Sequence, residues 1–440
     1  MSKRILFVDD EPMLLSGLQR SLRPMRDEWE MAFVGSGAEA LKLMEQQPFD
    51  IIVTDMRMPV MTGTELLEEV KQRFPQCFRI ILSGQADQES ILKAVDPTHQ
   101  YLAKPCDSNE LRKRLNWAFS VRGLLKNSEL QAMVSKLQAL PSLPSLYFEV
   151  TSELEKSEPS ITRIARLISQ DMAMTAKMLQ LVNSAFFGLR GEVSSSLQAV
   201  QLLGLDTLRA LVLSTHVFDR FRSELVGEAE TSYLWTHSLV AASFAKHIAA
   251  FEKASRRTIE DCFTAGLLHD AGKLILSFSM NSKYARVLEV VRKQGCGLLE
   301  AEREVLGCNH AEVAAYLLGS WGLPEAVVEG VAWHHDPSGS PQKGFSTAIA
   351  AHAASCLHEE QAPFWMCDRA PLDLPYLNQN GLAGHEESWR KLLAEVGGSP
   401  AAGGKSIKPD GQSADNQAKE IPNAAETPPA GELPRRGDTR

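Results

Sequence analysis

Residues 3–10 read KRILFVDD, an apolar run that ends in two adjacent aspartates. The pattern returns at residues 51–55, IIVTD, and further apolar runs include residues 79–82, RIIL, and 100–103, QYLA. Amphipathic stretches such as PMLLSGLQRSL separate the runs, which indicates that strands and helices alternate. Short apolar runs with little polar alternation are typical of strands covered on both faces. Residues 3–119 therefore predict a five-stranded, doubly wound parallel α/β sheet.

The remainder of the chain lacks this strand pattern. The first domain is placed at residues 1–122, and a charged amphipathic stretch predicts a connector helix at 123–138. Apolar residues at helical spacing then predict an all-α domain at 139–358. Residues 359–395 contain aromatic residues and a short helix around EESWRKLLAEV, and the sequence assigns this extension no role. Residues 396–440 hold scarcely any large apolar side chain, which predicts a disordered tail.

Composition excludes several classes of protein. The net charge of -9 provides no basic surface for a phosphate backbone, so we expect no direct DNA binding. No stretch approaches 18 uninterrupted apolar residues, and the start shows no signal peptide, so we expect a cytoplasmic protein that does not enter the membrane. Seven scattered cysteines without a Cys-x-x-Cys pair argue against a disulfide framework.

Carboxylates follow two of the predicted strands. Asp9 and Asp10 come directly after the first strand, and Asp55 follows the third. Because ligands bind at the carboxyl edge of such sheets, these side chains should converge there. Crowded carboxylates repel one another unless a hard cation lies among them, and Mg²⁺ suits their oxygen ligands. The backbone carbonyl of Arg57 is placed to add a further ligand.

Two more polar residues follow the last strands. Lys104, in YLAKP, supplies a cation for a carboxylate or a phosphoryl group, and Ser83 can hydrogen-bond a phosphoryl oxygen. In this order the residues resemble the receiver domain of bacterial response regulators, which has a flavodoxin-like fold. The resemblance implies that Asp55 takes a phosphoryl group from a sensor histidine kinase and that Lys104 stabilises the developing charge. It also implies that Ser83 and Tyr101 form a switch pair.

The second domain is rich in histidine. Eight of the eleven histidines lie between residues 237 and 358. His269 and Asp270 are adjacent in LLHDAGK, so an imidazole and a carboxylate can reach one metal ion together with a distant histidine. His237, in LWTHSLVAA, is the expected partner. We expect His247 and His358 to be packed or hydrogen-bonded residues of the helical core instead.

Several segments of this domain resemble the HD superfamily of metal phosphohydrolases and, more closely, the HD-related output domain, HDOD. They include LPSLPSLYFEV, SQDMAMTAKMLQLVNSAFFG, VQLLGLDTLRALVLS and HAEVAAYLLGSWGLPEAVVEGVAWHH, and the resemblance covers residues 135–358. It implies a site for Fe, Mn or Zn built from His237, His269 and Asp270, together with further residues that match active HD and HD-GYP phosphodiesterases: Lys273, His310, His334 and His335.

The resemblance has two departures. In AAHAASCL, Ser355 stands at the apparent position of the last metal-binding Asp, and His352, one turn earlier, is a candidate substitute. The glycine-tyrosine-proline signature after His310 is replaced by WGLP, so hydrolysis of cyclic di-GMP is not implied.

Two functions of different classes remain open. The leading interpretation is a non-enzymatic regulator, in which phosphorylation changes the docking or self-association of the helical domain and the signal passes to an unknown protein partner. A phosphorylation-dependent homodimer is an expectation from the family. The alternative is a phosphorylation-gated metal phosphohydrolase or phosphodiesterase that acts through His237, His269 and Asp270.

Overall fold

The protein is described here from a computed structural model. The described residues are 3–83, 98–104, 106–135, 137, 141–142, 149–150, 152–154, 156–183, 192–213, 219–220, 228–360 and 370–398. Within these ranges, none of the helices combines the length and the apolar character that crossing a lipid bilayer requires.

The N-terminal domain contains the predicted parallel sheet. Five strands lie in the order β2-β1-β3-β4-β5, which confirms the doubly wound α/β expectation. Val8 pairs with Thr54 and Asp55 pairs with Leu82, so the carboxyl ends of the three central strands meet at one edge. The strands are β1 (Lys3–Val8), β2 (Trp29–Val34), β3 (Ile51–Asp55), β4 (Phe78–Ser83) and β5 (Gln100–Ala103).

In the described part of this domain, four helices and one short 3₁₀ turn connect or follow the strands. Three of the helices begin at capping side chains in the loops that follow strands: Ser36 accepts from the backbone of Glu39, and Thr62 and Glu65 form a capping box. The helices are α1 (Pro12–Leu22), α2 (Gly37–Gln46), α3 (Gly63–Arg73) and α4 (Ser108–Leu124), and the 3₁₀ turn is Arg23–Met25. Asp107 caps α4.

The predicted connector contains a break and a short helix. Helix α4 continues to Leu124, and Asn127 then caps a new helix, α5 (Ser128–Val134), by accepting from two backbone N–H groups. The Gln131 side chain donates back to the carbonyl oxygen of Arg122 at 3.0 Å, which holds α5 against the end of α4. The domain boundaries themselves stay predictions.

The region after the connector is helical, as expected. It includes α6 (Ile161–Ile168), α7 (Met172–Val182), α8 (Ser196–Leu213), α9 (Glu228–Phe251), α10 (Arg256–Leu268), α11 (Ala271–Ser279), α12 (Asn281–Gln294), α13 (Leu298–Leu306), α14 (His310–Ser320), α15 (Glu325–Ala332), the 3₁₀ turn Pro337–Gly339 and α16 (Thr347–Glu359). One feature was not predicted: Pro141–Ser142 (β6) and Asp219–Arg220 (β7) form a parallel pair. Two residues are too few to show a strand period in sequence.

The extension after residue 358 belongs to the folded unit. It contains α17 (Leu374–Gln379) and the predicted helix, α18 (Glu386–Gly398). Trp389 is fully buried, and its indole N–H donates to Glu252, the residue that follows α9, at 3.0 Å. Leu377 and Leu393 lie in the same apolar cluster as residues of α9 and α16. Residues 399–440, which hold most of the predicted tail, lie outside the described residues.

A second apolar cluster is continuous between the sheet and the helical region. It contains Ile5 and Val53 of the sheet, Val121 of α4, and Tyr316 of α14. The described part of residues 1–399 therefore forms one compact unit, with α4 packed directly on α14.

Candidate functional site

Asp9 and Asp55 lie at the carboxyl edge of the sheet, and Lys104 joins them. Asp9 is 2% and Asp55 8% exposed. The Lys104 ammonium lies 2.9 Å from Asp9 Oδ2 and also forms an ion pair with Asp55 Oδ1. Backbone N–H groups complete the site, since Glu11 donates to Asp9 Oδ1 at 3.0 Å and Arg57 donates to Asp55 Oδ2 at 2.8 Å. The acidic pocket predicted from sequence is thus assembled around a cation.

The loop after Asp55 folds back tightly on that residue. A Cβ atom at Gly63 would lie 2.0 Å from the Asp55 carbonyl oxygen, so this position requires glycine. The Gly63 N–H donates to the Met56 carbonyl oxygen at 3.0 Å. Val60, at the exposed tip, has a φ of 69°, a strained value for a β-branched residue. The Asp55 backbone is therefore held rigidly beside α3.

The acidic pocket fits Mg²⁺ by its donor atoms. Asp9 and Asp55 present buried carboxylate oxygens, and Asp10 beside them is exposed. Hard oxygen donors are the ligands that Mg²⁺ prefers, and the Lys104 ammonium shows that this edge already accommodates a cation. Burial lowers the pKa of Lys104, but its hydrogen bonds with Asp55 and Asp9 outweigh burial and raise the pKa overall. The pocket therefore keeps Lys104 charged.

The proposed switch residues are only partly described. Ser83 ends β4 and Tyr101 lies in β5, as predicted. Their side chains lie outside the described residues, so their role as a pair stays a prediction.

A second site forms around Asp270, which lies between α10 and α11. Its Oδ2 atom faces one group of residues, at 3.6 Å from His237 Nε2 and 3.5 Å from His269 Nε2. The Lys273 ammonium donates to the same oxygen at 2.9 Å. All four side chains are at least 98% buried. Helix α9 thus supplies the distant histidine that the sequence predicts.

The other oxygen of Asp270 faces a second group. Asp270 Oδ1 lies 3.3 Å from His310 Nε2 and 3.9 Å from His334 Nε2. The Nε2 atoms of His335 and His310 are 2.8 Å apart. In each of the two trios, His237–His269–Asp270 and His310–His334–His335, the ligand atoms lie within 4.8 Å of one another. One carboxylate therefore stands between two histidine groups.

Burial controls the protonation of most of these histidines. It is the largest cause of the lowered pKa values of His237, His269, His334 and His335, which favours the neutral imidazole that binds metals. Burial also acts to lower the pKa of His310, but the Glu302 and Asp270 carboxylates raise it to about 10. Burial would raise the pKa of Asp270, yet His269 and Lys273 hold it well below its usual value.

The cluster fits a transition-metal ion. Within the described part of the chain, His334 Nε2 is buried and has no hydrogen-bond partner. A buried polar atom without a partner is costly, and an imidazole nitrogen is a metal ligand by type. Imidazole nitrogens with a carboxylate oxygen suit Zn, Fe or Mn. Both trios therefore have the chemistry of a metal site.

Three residues that contact this cluster were not among the predicted site residues. Glu302 of α13 is fully buried, and its Oε2 atom accepts from the His310 backbone N–H at 2.9 Å and contacts His310 Nδ1 at 2.8 Å. His358, predicted as a packed or hydrogen-bonded residue of the helical core, has its Nδ1 atom 2.7 Å from His237 Nδ1 and so contacts the site. Glu359 Oε1 lies 4.0 Å from His237 Nε2. Only the register of α16 could have indicated the last two, one turn beyond Ser355.

His352 and Ser355 lie apart from these ligand groups. His352 Nδ1 contacts the carbonyl oxygen of His334 at 2.7 Å, and its Nε2 atom accepts from the Asp373 N–H at 3.0 Å. Both ring nitrogens are thereby engaged. Among the described residues, neither trio includes His352 or Ser355. The carboxylate that α16 brings near the cluster is Glu359.

Comparison with known proteins supports the two-part architecture. The response regulator receiver domain family matches residues 5–116, and the HDOD domain family matches residues 140–337. The sequence is 37% identical over 122 residues to the hydrogenase transcriptional regulatory protein HoxA of Cupriavidus necator, and this match covers 27% of this chain and 25% of HoxA. It is 27% identical over 226 residues to an uncharacterized protein of Treponema pallidum, and that match covers 50% of this chain and 43% of the Treponema pallidum protein.

A solved structure is similar along more of the chain. The MmoQ response regulator of Methylococcus capsulatus is 23% identical, with a TM-score of 0.44, and the match covers 60% of this chain and 99% of MmoQ. The chain spans less than half the length of the HoxA and Treponema pallidum relatives. The fold and the family match at residues 5–116 define a response regulator receiver domain. More particularly, the chain is a receiver domain joined to an HDOD domain.

Proposed function

We propose that Asp55 accepts a phosphoryl group from a sensor histidine kinase and that this event switches the HDOD domain. The observation that carries the proposal is the Lys104 ammonium shared between Asp9 and Asp55 at the sheet edge. An aspartyl phosphate would add negative charge at that point and draw Lys104 away from Asp9. The signal then passes to a protein partner, with phosphorylation-dependent homodimerisation as part of the same proposal. A cytoplasmic location follows from the phosphorelay.

The chemistry assigned to Asp55 is nucleophilic. Its carboxylate oxygen attacks the phosphorus of a phosphohistidine, so the new O–P bond forms as the P–N bond breaks and the kinase histidine departs. Lys104 stabilises the charge that develops on the phosphoryl oxygens. Asp9, Asp10, Asp55 and the Arg57 carbonyl would hold Mg²⁺, which when bound would offset the negative charge of the carboxylates and of the phosphoryl group. Ser83 and Tyr101 would then respond as the switch pair.

Phosphoryl uptake tests the proposal directly. The full chain is incubated with radiolabelled acetyl phosphate and Mg²⁺, and the incorporated label is measured. We expect labelling of the wild-type chain, no labelling of Asp55→Asn, and wild-type labelling of the control Asp27→Asn, because Asp27 is exposed and remote from the pocket. Labelling that persists in Asp55→Asn would refute the assignment.

A second candidate function is a metal-dependent phosphohydrolase or phosphodiesterase in the HDOD domain. The observation that favours it is Asp270, whose two oxygens face separate histidine groups. A metal held there would act as a Lewis acid on a phosphoryl oxygen. His237, His269, His310, His334 and His335 would hold it with Asp270.

Metal content and turnover separate the two candidates. The purified full chain is measured for Fe, Mn and Zn and then assayed against cyclic dinucleotides and a generic phosphodiester, with Asp270→Ala as control. Stoichiometric metal with turnover that Asp270→Ala abolishes would establish the hydrolase. A metal-free chain without turnover would leave regulation through protein interaction as the function.

A further inference from the structure

We propose that α14 (His310–Ser320) mechanically couples the receiver domain to the histidine cluster of the HDOD domain, through a close glycine contact at each of its ends. The proposal rests on phosphorylation of Asp55, and it names how that site would regulate the HDOD domain.

The carboxyl end of α14 is in close contact with the receiver domain. A Cβ atom at Gly319 would lie 2.6 Å from Val121 Cγ2 and 3.0 Å from Val121 Cγ1, so α4 and α14 touch with no space for another atom. The Gln100 side chain, at the start of β5, donates to the Gly319 carbonyl oxygen at 3.2 Å. A shift of β5 or α4 would therefore act directly on this end of α14.

The amino end of α14 is in equally close contact with the histidine cluster. A Cβ atom at Gly272 would lie 1.9 Å from the His310 carbonyl oxygen, so the backbone beside Asp270 touches the first turn of α14. Glu302 holds the His310 ring and the His310 backbone N–H with a single carboxylate oxygen. Displacement of α14 would thus change where His310 lies relative to Asp270.

Between these ends α14 is a stiff, buried element. Every residue of the helix except Glu312 is buried, and an Asn309–Glu312 capping box closes its first turn. A continuous α-helix of this length spans about 15 Å and does not compress, because each turn is hydrogen-bonded to the next. Packed interiors transmit displacements instead of absorbing them. Movement at Gly319 is therefore passed on to His310.

The receiver end of this route begins beside the phosphoacceptor. Lys104, which pairs with Asp55, directly follows β5, and β5 carries Gln100 at its other end. An aspartyl phosphate that takes Lys104 from Asp9 would shift the end of β5, and the strand is too short and too well paired with β4 to bend independently. One strand and one helix thus connect Asp55 to Asp270.

Hydrogen–deuterium exchange of the full chain, with and without Mg²⁺ and beryllofluoride as the phosphoryl mimic, tests the coupling. In the wild-type chain we expect the mimic to change exchange at residues 51–63 and also at 268–273 and 308–315. The change at the two distant segments should be about fivefold or more, the lower limit of typical allosteric coupling. A response at residues 51–63 with none at the distant segments would overturn the coupling and leave the phosphoacceptor proposal intact. No response at residues 51–63 would refute both.

Variants test the route itself. Gly319→Ala should abolish the change in exchange at residues 268–273 and 308–315, while residues 51–63 still respond. Adding Val121→Ala removes the contacting methyl groups and should restore the change at the two distant segments. Gly17→Ala is the matched control, because no atom of the described residues lies within 4 Å of a Cβ atom there, and it should respond as the wild type does. If Gly319→Ala does not fold, Gln100→Met replaces it in this test, because that change removes only the hydrogen bond from Gln100 to the Gly319 carbonyl oxygen. A distant response that persists in these variants would overturn the role of α14.

Discussion

Replacing Lys273 by methionine in the metal-free protein should destabilise the HDOD domain by about 3 kcal/mol. Lys273 Nζ lies 2.9 Å from Asp270 Oδ2, and both side chains are at least 98% buried. Methionine keeps most of the volume but leaves the carboxylate without this cation, and breaking a buried ion pair costs about 3–5 kcal/mol. The lower value applies because His310, with its pKa raised to about 10, still faces Asp270 Oδ1 at 3.3 Å.

Urea denaturation in the presence of EDTA, followed by tryptophan fluorescence, measures the loss. Lys283→Met is the matched control: Lys283 Nζ also lies 2.9 Å from a carboxylate oxygen, that of Glu129, but the lysine side chain is 48% exposed. Exposed pairs contribute about 0–1 kcal/mol, so this variant should unfold almost as the wild type does. Equal losses in the two variants would refute the argument that burial gives the Asp270–Lys273 pair its importance.

Three further predictions concern Trp389, His99 and Glu302. Trp389→Ala should cost about 3–5 kcal/mol of stability, because a fully buried indole and its bond to Glu252 are lost; an unchanged urea midpoint would place the extension outside the folded unit. Burial, together with the nearby Arg79 guanidinium, holds the pKa of His99 well below its ordinary value of 6.5. Below pH 6.5 the unfolded chain therefore binds a proton at His99 that the native chain does not bind. The contribution of His99 to the free energy of unfolding is fully present above pH 6.5 and falls by about 1.4 kcal/mol per pH unit below it, until the folded pKa is reached. His99→Gln should lower this slope in denaturation measured from pH 7.5 to 5.0, and an identical slope would contradict the assignment. Glu302→Ala should weaken Zn²⁺ binding about 10–100-fold in calorimetric titration, because the His310 ring loses the carboxylate that orients it; unchanged affinity would exclude that role.

The sheet and its acidic pocket were predictable from sequence because the signals are local. Strands covered on both faces appear as apolar runs, and in a parallel sheet every carboxyl end lies at the same edge. Asp9, Asp55 and Lys104 therefore had to converge once the strands were recognised. The contact of Lys104 with both carboxylates confirms this convergence.

The histidine cluster was predictable only in part. His269 and Asp270 are adjacent, and the family resemblance indicated His237, His310, His334 and His335. Glu302 was missed because a lone glutamate on a helix is normally a solvated surface residue. His358 was predicted only as a packed or hydrogen-bonded core residue, and Glu359 was not considered, because the sequence does not show which turn of α16 faces the cluster.

The sequence by itself determined the order of strands and helices, the acidic pocket and the presence of a histidine-rich helical domain. These depend on periodicity and on residues that follow strands directly. Only the tertiary structure decided that Asp270 stands between two histidine groups, that Glu302 holds His310, and that α14 meets the receiver at Gly319. The physical reason is that these residues lie far apart along the chain. Their contacts depend on how the helices pack against one another, and helix packing produces no periodic pattern in the sequence from which such contacts could be predicted.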